Sequence, residues 1–151
     1  CRGQIRKTVK SFEVNIAEDF PLIFTDPVAL ARVLFNLLIN ATQAVDGWNS
    51  CAMINARQEN TRQHRLIIEV SDNGCGMDER IREMIFEPFF TTKVCENGSG
   101  LGLFVSKSLT EKMGGRIEVE SKLGVGSTFR IVLQERTSGH VNIQNQQCYD
   151  E

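Results

Sequence analysis

The chain has 151 residues, the size of one domain, long enough to bury about two-thirds of its unfolded surface. A net charge of -2 supplies no field that would gather nucleic acid or anionic membrane, and no apolar run approaches the ~18 residues of a membrane span. The five cysteines are odd in number, form no C-x-x-C pair and have only two histidines for company; this argues against a zinc site or disulfide framework and for plain thiols in a reducing, cytoplasmic compartment.

Residues 1–10 are polar and basic (Arg2, Arg6, Lys7, Lys10) and read as a linker or a helix end. "SFEVNI" puts Phe12, Val14 and Ile16 on one face, a strand pattern. "DFPLIFTDP" is extended, with room for a second short strand. Asp26 followed by Pro27 reads as an N-cap and first helical residue, and the helix runs to about Val45 before Asp46-Gly47. "CAMINARQ" and "RLIIEVSD" form a hairpin, and "DNGCGM" follows as a glycine-rich loop. "DERIREMI" is a short amphipathic helix capped by Asp78; "FEPFFTTKVCENGSG" has no regular period and reads as a loop. "LGLFVSKSLTEKM" is a second long helix, ended by Gly114-Gly115. "RIEVES" and "STFRIVLQ" make another hairpin through "KLGVG". From Arg136 the chain is polar and aperiodic, so the expected domain is 11–135 and residues 136–151 a disordered tail. Strands arriving as hairpins, without regular βαβ units, predict an α+β two-layer sandwich: a mixed, mostly antiparallel sheet with about three helices on one face.

The first long helix carries a polar stripe. Arg32, Asn36, Asn40 and Gln43 fall on one side, while Val33, Leu34, Leu37, Leu38, Ile39, Ala41, Ala44 and Val45 cover most of the rest. The stripe is either a solvent face, where charged residues are more usual, or the wall of a cavity holding something polar. Amide oxygens are hard neutral ligands of the kind Mg²⁺ takes alongside water and phosphate.

Two glycine-rich stretches suit a nucleotide. In "DNGCGM", Gly74 and Gly76 would let the backbone approach a ligand closely, and Asp72 at the strand end could accept a hydrogen bond from an exocyclic amine; a plain turn fits as well. In "GSGLGL", Gly98, Gly100 and Gly102 precede a helix whose free N–H groups favour an anion, although a mere cap fits too. The spacing is not that of a P-loop, and Gly98 follows an irregular loop where a Rossmann unit has a strand. Between them "EPFFTTK" sets Phe89 and Phe90 beside Thr91, Thr92 and Lys93, ahead of "VCENGS"; this is the make-up of a lid, or of an apolar plug under a surface loop.

Taken in order, N-x-x-x-N-A, D-N-G-x-G-M, E-P-F-F-T-T-K, G-x-G-L-G-L and G-x-G-S-x-F resemble the N, G1, F and G2 boxes and following hairpin of the ATP-binding catalytic domain of bacterial sensor histidine kinases. The resemblance covers roughly Phe12 to Leu133 and implies the Bergerat fold shared with gyrase, MutL and a class of chaperone ATPases. It implies that Asn40 holds Mg²⁺ on the phosphates of ATP through its side-chain oxygen. Asn36, one turn earlier, stands where the hydrolysing relatives look to have a Glu base; an amide cannot take a proton, which implies phosphoryl transfer over fast hydrolysis. Gln43 matches a position that often holds a phosphate-contacting Lys or Arg, and is neutral here. Asp72 resembles the Asp that recognises the adenine amino group, with Gly74 and Gly76 at the pocket floor, Met77 near the base and Thr128 helping Asp72. Gly98, Gly100, Leu101, Gly102 and Leu103 resemble the lid's end that cradles phosphate, with Phe90, Thr92 and Lys93 at the lid itself and Lys93 as a phosphate contact.

The family's phosphoacceptor histidine lies in a separate dimerisation domain, in a box of the form H-E/D-x-x-x-P. Neither His64 in "RQHRLI" nor His140 in the tail resembles it. The chain therefore reads as an excised catalytic domain, monomeric, from a parent that can be membrane-anchored. It would serve an acceptor domain in trans, with a response regulator downstream. Alternatives are an ATP-binding regulatory module without transfer, an ATPase of the gyrase or MutL kind, and a serine kinase of the anti-sigma kind; the amide at Asn36 and the "EPFFTTK" box weigh against the ATPase.

Overall fold

The computed structural model describes residues 9–45, 49–59, 65–92 and 99–134. Its elements are β1 (Ser11–Ile16), α1 (Pro27–Ala44), β2 (Cys51–Glu59), β3 (Arg65–Asp72), α2 (Glu79–Met84), α3 (Gly102–Lys112), β4 (Arg116–Lys122) and β5 (Gly126–Gln134). The five strands form one sheet in the order β1-β2-β3-β5-β4. Only β1 to β2 is parallel; the other pairings are antiparallel, so the sheet is the mixed, mostly antiparallel one expected.

Local chemistry sets the helix ends. Asp26 Oδ1 accepts the N–H groups of Val28 and Ala29 at 2.9 and 3.0 Å, and Pro27 fills a position whose N–H has no partner in a helix. Asp78 caps α2 in the same way, accepting from Ile81. Helix α3 ends on Gly114 at φ 81°, whose N–H returns to the Glu111 carbonyl at 2.9 Å.

The core lies between α1 and one face of the sheet. Alternation along β3 and β5 sends Leu66, Ile68, Val70, Phe129, Ile131 and Leu133 inward, where Val33, Leu37, Leu38 and Ala41 of α1 meet them. Val33 and Leu37 are wholly buried, and burying each side chain is worth about 1.5–3 kcal/mol. The ordered packing reaches back to Val9, which is 5% exposed, within the stretch read as a linker; Lys10 donates its backbone N–H to Ser50.

"DFPLIFTDP" forms no strand. Phe20 and Ile23 pack on the core while Leu22 and Phe24 face outward, and Pro21 has no N–H to give a ladder. From Leu22 to Asp26 exposure alternates as in a strand, but the segment pairs with no strand of the sheet.

Candidate functional site

A cavity of about 500 Å³ opens between α1, the loop after β3, α2 and the start of α3, with the inner face of the sheet as its floor. That volume suits a small-molecule site. Helix α1 contributes Asn36, Asn40 and Gln43 to the wall; Arg32, the fourth member of the stripe, is exposed and outside it. Asn36 abuts the start of α3, and the Ala44 carbonyl at the other end accepts the Cys75 N–H at 3.0 Å. The helix between Asn36 and Ala44 spans roughly 12 Å at ~1.5 Å per residue, so the wall is long enough for an elongated ligand.

Asp72 ends β3 at the Ala44 end of the wall. Its Oδ1 accepts the Gly74 N–H at 2.8 Å, which orients the carboxylate. Directly across on β5 is Ser127, 7% exposed, whose hydroxyl lies 3.0 Å from that of Ser121 on β4; Ser121 in turn accepts the Met77 N–H at 2.8 Å. A line of polar groups thus runs across the floor beside Asp72, with Met77, Ile81, Leu103 and Phe129 making the wall apolar around it.

The other end is the start of α3. Gly100, Gly102 and Leu103 line the cavity there. Unlike α1 and α2, α3 has no side-chain cap: its N-cap is Leu101, so no side chain competes for its first-turn N–H groups. Phe90 and Thr92 approach the cavity from the preceding loop. Phe89 beside them is 73% exposed and holds φ 67°, rare for an aromatic residue; its N–H donates to the Gly100 carbonyl at 3.0 Å, tying together the two ends of the stretch read as a lid. Lys93 and Gly98, between those ends, lie outside the described residues, as does the tail with His140.

Three expectations need correction. Thr128 faces away from the cavity: it pairs with Ser71, hydroxyl to hydroxyl at 3.0 Å, on the opposite face of the sheet, and Ser127 holds the place beside Asp72. Leu101 caps α3 without entering the wall. Gly74 makes room for protein backbone and does not line the cavity, whereas Gly76 lines it as expected while also packing against backbone. A Cβ on Gly74 would lie 2.2 Å from the Ala44 carbonyl oxygen, and one on Gly76, at φ 62°, would lie 2.0 Å from that of Lys122.

Met77, Phe90 and Leu103 of the apolar lining were expected from sequence, but Ile39, Ile81, Ile85, Leu123 and Phe129 were not. Ile81 and Ile85, four apart in "DERIREMI", both enter the wall, and the alternation Ser127-Phe129-Ile131 marks Ser127 as inward. Among the described residues, Cys51 and Cys75 are free thiols, and no helix is long and apolar enough to cross a membrane.

Comparison with known proteins identifies the family and supports the fold. The family described as histidine kinase-, DNA gyrase B- and HSP90-like ATPases matches residues 25–137. Sporulation kinase E of Bacillus subtilis (strain 168) is 38% identical over 125 residues, 82% of this chain and 16% of that protein. The signal transduction histidine-protein kinase AtoS of Escherichia coli (strain K12) is 36% identical over 121 residues, 80% of this chain and 19% of its own length. The chain thus spans under a fifth of either relative. Among solved structures, the nucleotide-free catalytic domain of histidine kinase ThkA superposes with a TM-score of 0.71 at 31% identity, covering 88% of this chain and 85% of that one. The mycobacterial sensor histidine kinase MprB gives 0.70 at 25% identity, over 88% and 87%. With an ATPase-family match across most of its length, the chain belongs to the histidine kinase-, DNA gyrase B- and HSP90-like ATPases, among the ATP-binding catalytic domains of histidine kinases.

Proposed function

We propose that this domain binds ATP with Mg²⁺ in the cavity and hands the γ-phosphoryl group to a histidine on a separate dimerisation domain of the same parent kinase, from which a response regulator takes it. One arrangement supports this reading: Asp72 and the uncapped start of α3 lie at opposite ends of the α1 wall, with the Asn40 amide on the helix between. In the proposed complex Asp72 accepts a hydrogen bond from the adenine amine, and Met77 and Phe129 supply apolar contact to the base. The first-turn N–H groups of α3 face phosphate oxygens. Lys93 and Gly98 are assigned to the phosphates as sequence-based candidates, whereas Gln43, next to Ala44, lies toward the Asp72 end of the wall.

The donor set fits a metal that travels with its nucleotide. Among the described residues, no group of three His, Cys, Asp or Glu could hold an ion. Asn40 would supply one hard oxygen, leaving phosphate and water to complete the shell, the coordination Mg²⁺ favours. Bound there, the ion would offset the charge that develops on the transferring phosphoryl group. In the transfer, an acceptor imidazole nitrogen bonds to the γ-phosphorus as its bond to the bridging oxygen breaks and ADP leaves. Neutral imidazole is already a nucleophile, so the domain needs no base of its own, and Asn36, an amide, offers none.

The test is calorimetric titration of the domain with ADP and a non-hydrolysable ATP analogue, with and without Mg²⁺, followed by transfer from ATP to an acceptor domain added in trans. Adenine nucleotides should bind in preference to guanine ones, and the acceptor should gain an acid-labile, base-stable phosphoryl group. Asp72→Asn should weaken binding by ~1–3 kcal/mol, the worth of a hydrogen bond involving a charged group. Asn40→Ala should matter far more with Mg²⁺ than without. Binding without any transfer to the acceptor would leave an ATP-binding module and remove the kinase reading.

A further inference from the structure

The amide of Asn36 is already engaged within the protein. Its Nδ2 donates to the hydroxyl of Ser106 on α3 at 3.0 Å. Its Oδ1 lies against Gly102, so close that a Cβ there would sit 2.4 Å away. Gly102 and Ser106 are one turn apart, so the Asn36 side chain is seated between two successive turns on one face of α3. Ser106 is 2% exposed and outside the cavity wall. Its carbonyl accepts the hydroxyl of Thr110, itself fully buried, one turn further on. A short polar seam therefore runs along α3 where it meets α1, between helices whose other buried contacts are largely apolar.

An apolar contact tolerates sliding, because one methyl group replaces another at little cost. A buried hydrogen bond does not: displacing α3 along α1 would leave the Asn36 amide and the Ser106 hydroxyl without partners. Gly102 completes the seat from the other side, since a Cβ there would lie 2.4 Å from the amide oxygen and push the side chain out of place. From these contacts we infer that Asn36 is a positioning residue. It fixes the axial register of α3 on α1, and so sets where the first-turn N–H groups of α3 stand relative to Asn40 on the same α1. The side chain that looks like a substitute for a catalytic carboxylate acts here through Ser106 and Gly102 on the phosphate end of the cavity. The inference rests on the proposed nucleotide orientation for its functional consequence and on the hydrogen bond alone for its structural one.

The experiment uses Asn36→Ala, Ser106→Ala and the double variant. ATP and adenosine affinities are measured for each, together with amide hydrogen exchange over the first turns of α3 in the ligand-free domain. Ser106 does not reach the cavity, so Ser106→Ala should reproduce the loss caused by Asn36→Ala, about tenfold for ATP if one hydrogen bond is at stake. The double variant should be no worse than either single one, and adenosine affinity should be nearly unchanged. Exchange at the start of α3 should quicken in both single variants, a readout that needs no nucleotide. Loss of ATP affinity in Asn36→Ala but not in Ser106→Ala would show direct contact with the nucleotide and overturn the inference. Equal losses for ATP and adenosine would mark general loosening and overturn it as well. If the unaltered domain binds no nucleotide, the functional reading fails, while unchanged exchange in both variants defeats the positioning role independently.

Discussion

The two faces of the sheet are built from alternate residues of the same strands, yet they behave as different surfaces. On the helix-covered face, successive rows across β3 and β5 read Asp72-Ser127, Val70-Phe129, Ile68-Ile131 and Leu66-Leu133: polar at the cavity end, apolar beneath α1. On the open face the rows read Ser71-Thr128, Glu69-Arg130 and Ile67-Val132, flanked in register by Glu120, Glu118 and Arg116 on β4. Of the residues in these rows, only members of the first face line the cavity: Asp72, Ser127 and Phe129. The second is held by charge pairs and two buried aliphatic residues. One residue of displacement along a strand crosses from one surface to the other.

The largest expected effect contrasts neighbours on β5. Ile131 points into the core and is wholly buried, so Ile131→Ala should cost ~2–5 kcal/mol of stability through lost burial and a cavity that α1 cannot fill. Val132, 4% exposed on the open face, has Ile67 and Arg116 as cross-strand neighbours, and the long Arg116 stem can resettle over the gap. Val132→Ala should therefore cost only ~1–2 kcal/mol, the transfer of the groups removed. Urea denaturation of both variants measures the difference. Equal costs would mean that the open face is packed as a core in its own right.

The same alternation decides how much was legible in the sequence. Order and type of every described helix and strand follow from short-range signals: the Asp26-Pro27 start, the Asp78 cap, the Gly114 stop and the period-two runs. The chemistry of the cavity was legible where a side chain is itself the signal, as with Asn36, Asn40, Gln43 and Asp72, all of which reach the wall. It was not legible where parity or packing decides. Ser127 and Thr128 are adjacent hydroxyls, and only the inward direction of Phe129 separates them. Gly74 looks like an opening for a ligand, but the Ala44 carbonyl already occupies the space a side chain would need. Ile81 and Ile85 look like ordinary core positions until α2 is placed beside the cavity. "DFPLIFTDP" carries strand-like residues, and strand formation depends on a partner edge that local sequence does not encode.

A smaller effect sharpens the comparison at the site. Ser127→Ala removes the hydroxyl beside Asp72 and its link to Ser121, and should weaken ATP binding by ~1 kcal/mol, about one ordinary hydrogen bond. Thr128→Ala removes a hydroxyl bonded to Ser71 on the other face and should leave affinity unchanged. Titration of the two variants side by side distinguishes them. A loss in Thr128→Ala equal to that in Ser127→Ala would mean that the face assignment carries no functional weight.

The smallest effect belongs to the open face. Arg130 lies between Glu69, at 2.6 Å from its Nε, and Glu120, at 2.8 Å from its Nη2. Hydrogen bonds to Glu120 and Glu69 hold the guanidinium pKa above its ordinary value, and the hydrogen bond from Arg130, followed by its charge, holds that of the Glu120 carboxyl below its own. A carboxylate with a lowered pKa stabilises the folded state above its unfolded pKa, and that contribution is lost as pH falls through the folded value. Glu120 is well exposed, so water and salt screen the pair and the contribution is modest. Glu120→Gln should thus lower the thermal midpoint slightly at pH 7, less at high salt, and not at all at a pH acid enough to protonate the native carboxylate. Its ATP affinity should match the unaltered domain throughout, because nothing on the open face reaches the cavity wall. A pH-independent deficit would show that the side chain acts by packing instead of charge. A change in ATP affinity would show that strain crosses the sheet, and the two faces would then have to be treated as one coupled unit.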